Sequence, residues 1–404
     1  MDRGYRLHRN QRVLILSASA GSGHLKAAEA LQKACEMNPF IGEIRNVDAL
    51  NFTNKLFRDF YSKFYLKLVR DAPSLLDWWY ESSDEPWKTD QMRFMLDRMN
   101  TAPLVAMIRK FDPDICICTH FLPAEIISHL IEKGVVRTRL SIVVTDMDFH
   151  SMWLSRVFHH YFVALEETRE HLVCLGFPRD CISVSGIPID PVFAQKKDSA
   201  VLRRLHGFDE LRPLLVFSAG TFGVGPAEHV VKTFSRLRAP AQIAVICGNN
   251  AALESRVRSQ VERMKASHLD IRVQGFTREM DEWMTMADVF IGKPGGLTTA
   301  EALAKNVPFA IVSPIPGQEE RNSDHLLEKG VAIKCNEITT LPYKVDMLLE
   351  DPARLKLMRH AARKLARPHS AKMIVQTLLT RLKHEPVVFD EKDREQMVEA
   401  ARKK

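Results

Sequence analysis

Gly292-Lys293-Pro294-Gly295-Gly296-Leu297-Thr298-Thr299-Ala300-Glu301-Ala302-Leu303-Ala304, then Val307-Pro308-Phe309-Ala310-Ile311-Val312, then Pro314-Ile315-Pro316-Gly317-Gln318-Glu319-Glu320-Arg321-Asn322, is the stretch whose reading decides the fold. A strand over 288–291 runs into a Gly-Gly turn that opens a helix. That helix carries Glu301 in its first turns, and a second strand over 309–312 ends in a loop rich in hydroxyl-binding side chains. Backbone N–H groups at a helix start bind phosphate, and glycine lets the phosphate come close. A carboxylate one or two turns on accepts both hydroxyls of a ribose, and Gln318 and Glu319 have the groups to read the hydroxyls of a sugar. These are the ordered parts of a nucleotide-sugar site.

Outward from this stretch the same rhythm repeats. Strands are expected at 214–218, 242–247 and 271–274, with helices at 227–237 and 253–265 between them. Upstream, Val13-Leu14-Ile15-Leu16 is a short apolar run followed by a glycine turn and a helix over 26–36. Buried strands follow at 114–118, 140–145, 161–164 and 182–184. Strands alternating with helices imply a parallel sheet with helices on both faces. The pattern restarts after a polar linker at 195–199, so we expect an α/β chain of two Rossmann-like domains facing a cleft, spanning 1–195 and 200–369. A helix over 370–385 is expected to pack back on the N-terminal domain, ahead of a charged tail at 386–404. Ligands of such sheets bind at the carboxyl ends of strands, where the glycine turns fall.

Composition narrows the function classes. With 404 residues, 46% hydrophobic and 26% charged, the chain reads as an ordinary globular protein long enough for two domains. No apolar run reaches the roughly 18 residues that span a bilayer. The strand at Val13 leaves no room for a signal peptide ahead of it, so the expected compartment is the cytosol. Seven cysteines, an odd number, argue against a disulfide framework, and Cys116 and Cys118 read as core thiols. No metal-ligand spacing is seen, so no metal or other cofactor is expected.

The net charge of +7 is unevenly placed. Residues 354–384 hold nine Lys and Arg and no carboxylate. Such a run suits an anionic membrane or a solvated helix face. Nucleic acid is not expected as a partner, because no aromatics are interleaved with these bases as a stacking platform. Further upstream, Phe57, Phe60, Tyr61, Phe64, Tyr65 and Leu68 fall on one helical face flanked by Lys and Arg, and Trp78, Trp79, Tyr80 and Trp87 follow. This helix either buries its face in the core or lies in a membrane interface, where Trp and Tyr are at home.

Several polar groups fall at strand ends. Gly21-Ser22-Gly23-His24 joins the first strand to the first helix. It lacks the third glycine of a dinucleotide fingerprint, and no acidic residue ends a clear second strand at the expected spacing. The positive end of the helix favours a neutral His24 imidazole, as a base requires, while a capping or packing histidine is the plainer reading. His120 follows another strand, and Asp146, ahead of His150 and Trp153, follows a third; a helix cap is the plain alternative for Asp146. In the second half, Gly220 and Thr221 lie in a turn that suits phosphate, and Phe276 follows a strand where main-chain groups can meet a base.

As a set these segments resemble the monogalactosyldiacylglycerol synthases and the bacterial processive diacylglycerol glucosyltransferases, and more distantly the N-acetylglucosaminyltransferase that makes lipid II. The matching segments are 21–24, 112–114 with His120, 145–153, 186–193, 275–276, 293–301 and 316–319 with Asn322, in family order. The resemblance implies a GT-B fold and an inverting, metal-independent hexose transfer from UDP-glucose or UDP-galactose to diacylglycerol at a membrane surface. It implies that Gly295, Gly296 and Thr298 hold the diphosphate, Glu301 the ribose, and Gln318 and Glu319 the sugar, with Phe276 near the uracil and Asn322 nearby. It places His24 and Asp146 near the acceptor hydroxyl as candidate bases. Gly23, His120, His150, Trp153, Phe60 and Phe64 are the acceptor-side candidates. The plant galactosyltransferases have an acidic residue where this chain has Ser19, which leans the reading toward the glucosyl branch. The rival readings are an N-acetylglucosaminyltransferase acting on a polyprenyl-linked acceptor and a UDP-sugar sensor without turnover.

Overall fold

A computed structural model describes residues 10–19, 21–52, 84, 102–221, 223 and 226–402. The aromatic segment 57–68, with Phe60 and Phe64, lies outside the described residues, as do Trp78, Trp79, Tyr80 and Trp87. The chain divides into two units. The first comprises 1–191 with 369–404, and the second 192–368.

The first unit is built on β1 (Gln11–Ser17), β2 (Ile41–Asp48), β3 (Ile115–Cys118), β4 (Arg139–Val143), β6 (His160–Val163) and β7 (Ile182–Val184), all parallel, in the order β2-β1-β3-β4-β6-β7. A two-residue strand, β5 (Val157–Phe158), stands apart from this sheet. The uninterrupted apolar run of β1 follows from burial on both faces. Side chains alternate along a strand, so Leu14 and Leu16 enter one core with Ile108, Phe111 and Ile126. Val13 and Ile15 enter the other with Ala28 and Leu31.

That second core is completed from the far end of the chain. The helix Ser370–Thr380 contributes Ile374, Val375 and Leu378. The charged tail is also anchored: β14 (Val387–Val388) pairs antiparallel with β5, and Phe389 lies against Phe158 and Phe177. Met397, on the helix Glu391–Arg402, is buried with Phe158 and Phe177 in the first core, that of Leu14 and Leu16. Its few apolar residues at helical spacing are what the overall charge obscured.

The second unit repeats the plan with β8 (Leu214–Ser218), β9 (Ala241–Ile246), β10 (Leu269–Gln274), β11 (Val289–Gly292), β12 (Phe309–Val312) and β13 (Ala332–Cys335), ordered β10-β9-β8-β11-β12-β13 and all parallel. The polar stretch 195–199 belongs to this unit. Lys197 bonds Asp281 and Glu282, and Asp198 caps the helix Ser199–Leu205.

Besides the short pair β5 and β14, two strands of the large sheets go beyond the sequence expectation. β13 is short, and β2 is a sheet edge whose apolar residues are broken by Gly42, Glu43, Arg45 and Asn46. β2 also corrects one expectation, because an acidic residue does end the second strand. Asp48 Oδ1 accepts from the backbone N–H groups of Ser19 (3.2 Å) and Leu50 (3.0 Å). Each sheet reverses its strand order beside its first strand, between β1 and β3 and between β8 and β11. Carboxyl ends at such a reversal are where doubly wound sheets bind ligands.

Candidate active site

In the first unit three strand ends meet around one imidazole. The helix Ser22–Glu36 begins after Gly21, an extended N-cap without a side-chain hydrogen bond, and places Gly23 and His24 in its first turn. His24 Nδ1 lies 2.9 Å from the Thr119 carbonyl oxygen, just past β3, and 2.9 Å from Thr145 Oγ1, just past β4. Thr119 Oγ1 donates in return to the His24 carbonyl at 3.0 Å. His24 keeps a partly exposed edge, but its ring is enclosed enough that burial lowers its pKa to about 4, against a smaller upward push from the Thr119 carbonyl. It is therefore neutral at physiological pH, as a base must be. Asp146, directly after Thr145, is partly exposed.

The other histidines serve the scaffold beneath. His120 is the N-cap of the helix Phe121–Glu132 and accepts the Leu122 N–H at 3.0 Å. Its ring meets His24 edge-on with centroids 4.5 Å apart. His150 caps the short turn Ser151–Trp153, accepting the Met152 N–H at 3.1 Å, while its Nε2 lies 3.8 Å from the Asp84 carboxylate. Trp153 packs against His24, His120 and Phe121, and its carbonyl accepts the Tyr161 hydroxyl at 2.7 Å. His120, His150 and Trp153 are only 1%, 3% and 3% exposed, and of these the His120 and Trp153 rings pack against His24.

In the second unit the glycine turn after β11 leads directly into the helix Gly296–Ala304. Its N-cap, Gly295, leaves the helix start without a side-chain cap. No side chain caps the first N–H groups, and a Cβ on Gly295 would lie 3.5 Å from Glu319 Oε1. Thr298 is partly exposed on the first turn, and Glu301 is buried further along it. Asn322 is fully buried, and its Nδ2 donates to the Pro294 carbonyl at 3.0 Å. It pins the turn rather than facing solvent. Gly317, at φ +86°, lets the chain reverse into the helix Gln318–Glu328. That reversal brings Glu319 Oε2 within 2.7 Å of the Ile315 N–H.

Lys293 and Glu319 face each other from the two turns. Burial pulls the Lys293 ammonium below the usual lysine range and pushes the Glu319 carboxyl above the usual carboxylate range, each opposed by the other's charge. Desolvation outweighs the attraction on both sides. A small open recess lies beside Lys293, lined also by Ser218, Ala219, Pro226, Ala227 and Ser313. Gly220 (φ +80°) and Thr221 follow Ser218 in the turn after β8, which the Asn249 N–H ties down by donating to the Thr221 carbonyl at 2.9 Å. Phe276 stands 48% exposed beyond β10.

Sequence reasoning did not assign roles to Thr119, Thr145, Lys293, Ser218 or Ser313. The signal for Thr145 and Lys293 was their place inside the matching segments. One group with metal-like spacing exists among the described residues. Ligand atoms of His206, Glu279 and Glu282 lie within 4.8 Å of one another. There His206 Nε2 is already 2.9 Å from Glu282, which also holds Lys197 at 2.7 Å. None of the three lines the recess.

Comparison with known proteins extends this picture. Residues 24–189 match the profile of the monogalactosyldiacylglycerol (MGDG) synthase family, and residues 221–378 match that of the glycosyltransferase family 28 C-terminal domain. The chain is 26% identical over 377 residues to the processive diacylglycerol beta-glucosyltransferase of Staphylococcus saprophyticus, covering 93% of this chain and 94% of that one. It is 27% identical over 374 residues to the protein of the same name from Bacillus pumilus, covering 92% and 96%. Among solved structures, Acinetobacter baumannii MurG matches with a TM-score of 0.54 at 17% identity over 91% of this chain and 98% of that one. UDP-GlcNAc 2-epimerase from Neisseria meningitidis matches with a TM-score of 0.57 at 13% identity over 91% and 100%. These structural likenesses speak for the fold, two Rossmann-like units of GT-B type.

Proposed function

Since the chain belongs to the monogalactosyldiacylglycerol synthase family of glycosyltransferases, we propose that it moves a hexose from a UDP-sugar to the sn-3 hydroxyl of 1,2-diacylglycerol, with inversion at the anomeric carbon. The observation that carries the proposal is the turn Lys293 to Gly296. It offers an uncapped helix start, an ammonium and two buried carboxylates, Glu301 and Glu319, at the strand ends of one sheet.

In this reading the N–H groups at Gly295 and Gly296, with Thr298, hold the diphosphate, and Gly220 and Thr221 approach it from the neighbouring strand end. Lys293 and the helix dipole take up the negative charge that builds on the departing diphosphate, so no metal is needed. Glu301 accepts the ribose hydroxyls, Phe276 lies against the uracil, and Gln318 and Glu319 read the sugar. His24 or Asp146 takes the proton of the acceptor hydroxyl as its oxygen attacks. Glucose is favoured as the donor sugar by the names of the relatives.

The protein would work peripherally at the inner face of the cell membrane. No described helix is long and apolar enough to cross a bilayer. On the helix Pro352–Leu365, Lys356, His360, Arg363 and Lys364 are exposed, whereas Arg359 is engaged by Asp288. Such a basic face suits anionic lipid.

The test is incubation with diacylglycerol liposomes and, separately, UDP-glucose, UDP-galactose and UDP-N-acetylglucosamine, with any glycolipid identified by mass and sugar analysis. A monohexosyl or dihexosyl diacylglycerol is expected. Transfer of N-acetylglucosamine alone, or UDP-sugar binding with no product, would overturn the proposal in favour of another acceptor or a sensor.

A further inference from the structure

We propose that Thr145 is a positioning residue which, with the Thr119 carbonyl, fixes His24 as the Nδ1–H tautomer and so makes Nε2 the atom that takes the acceptor proton. The inference deepens the transfer reading above and rests on it for its chemistry, though not for its geometry.

A carbonyl oxygen only accepts, so the 2.9 Å contact between Nδ1 and the Thr119 oxygen is a hydrogen bond only if Nδ1 carries the hydrogen. A bare Nδ1 would set two lone pairs against each other. Thr145 Oγ1, also 2.9 Å from Nδ1, therefore accepts a share of the same hydrogen. Both partners are held. Thr119 is fully buried and Thr145 nearly so, and the Thr119 hydroxyl ties back to the His24 carbonyl at 3.0 Å. The neighbouring imidazole is set the other way. His120 Nδ1 accepts the Leu122 N–H at 3.0 Å, so its hydrogen resides on Nε2. The two rings, 4.5 Å apart, thus carry opposite tautomers, each dictated by backbone.

The reaction then balances. The Nε2 lone pair takes the proton of the acceptor hydroxyl, and the oxygen's electron pair forms the new bond to the anomeric carbon. The bond from that carbon to the diphosphate oxygen breaks, and its electron pair leaves on UDP. His24 becomes an imidazolium whose Nδ1–H faces two neutral oxygens. A carboxylate in that place would raise the basicity of the ring, whereas two neutral oxygens orient it and leave it a weak base.

The test combines ¹⁵N NMR of the histidine side chains in the full chain with kinetics of Thr145→Val and Thr145→Ser. The expected results are an Nδ1–H signature for His24 in the unsubstituted protein and a kcat about tenfold lower in Thr145→Val, the scale of one hydrogen bond. The donor KM should stay unchanged, and Thr145→Ser should recover most of kcat. An Nε2–H signature in the unsubstituted protein would overturn the proposal. So would full kcat in Thr145→Val, or a Thr145→Ser protein as slow as Thr145→Val. If no donor supports transfer, the functional reading fails, while the NMR signature alone still upholds or overturns the tautomer.

Discussion

Acidification should unfold the first unit before the second. Burial lowers the pKa of His24, His159 and His160 to about 4 each, from an ordinary 6.5, and lowers His120 well below its ordinary value. All four lie in the first unit. The folded state holds these rings neutral, while the unfolded chain protonates them as pH drops through 6.5. The unfolded state therefore binds more protons, and stability falls with pH until the folded pKa is reached. Between pH 7 and pH 5 each of the three rings near 4 costs about 2 kcal/mol, for a sum of about 6 kcal/mol. That is comparable with the whole stability of an ordinary domain, about 5–15 kcal/mol.

The second unit runs the other way at Glu319, whose carboxyl is held above the usual range and so favours the folded state as pH falls. Hydrogen exchange followed by mass spectrometry, corrected for intrinsic rates at each pH, reads the two units separately. Peptides of β3, β4 and β6 should lose protection between pH 7 and pH 5, and those of β8, β9 and β11 should not. A chain carrying His159→Gln and His160→Gln should shed about 4 kcal/mol of that dependence. Flat protection in the first unit, or parallel loss in both, would refute the reasoning.

Other perturbations probe packing and the donor turn. Ile374→Ala should destabilise the first unit by about 2–5 kcal/mol, read from its urea midpoint, because the side chain is fully buried in the core behind β1. An unmoved midpoint would mean that the helix is not needed there. Asn322→Leu leaves the Pro294 carbonyl without its amide donor, at a cost of about 1–3 kcal/mol. UDP affinity by calorimetry should weaken with it, and unchanged affinity would remove the turn from the donor site. Lys293→Met removes the cation that lines the recess among the described residues and should weaken UDP binding about tenfold or more. Equal affinity, with the same salt dependence as before, would argue against Lys293 facing phosphate.

Much of the fold was legible because doubly wound sheets write themselves as short apolar runs between glycine turns. β8 and β12 fall where the runs of Val, Ile, Leu and Phe place them, since an interior strand covered on both faces has little room for polar side chains. β2 escaped for the converse reason: as an edge strand it tolerates Glu43 and Arg45, so the run is broken. The polar residues near 195–199 read as a linker, yet they belong to the second unit through specific contacts. Lys197 and Asp198 are spent on an ion pair and a helix cap.

The amino-acid order alone determined the parallel α/β architecture, the glycine turns at strand ends and the residue types a nucleotide-sugar site needs. Each of these depends on local periodicity and on the conformational freedom of glycine, which spacing records. Tertiary structure decided which of those residues are presented and which support them. Nothing in spacing says that Asn322 turns inward to pin Pro294, or that Thr119 and Thr145 meet on one nitrogen of His24. Those outcomes come from contacts between residues as far as 121 positions apart. Only the register of neighbouring parallel strands brings such groups to hydrogen-bonding distance.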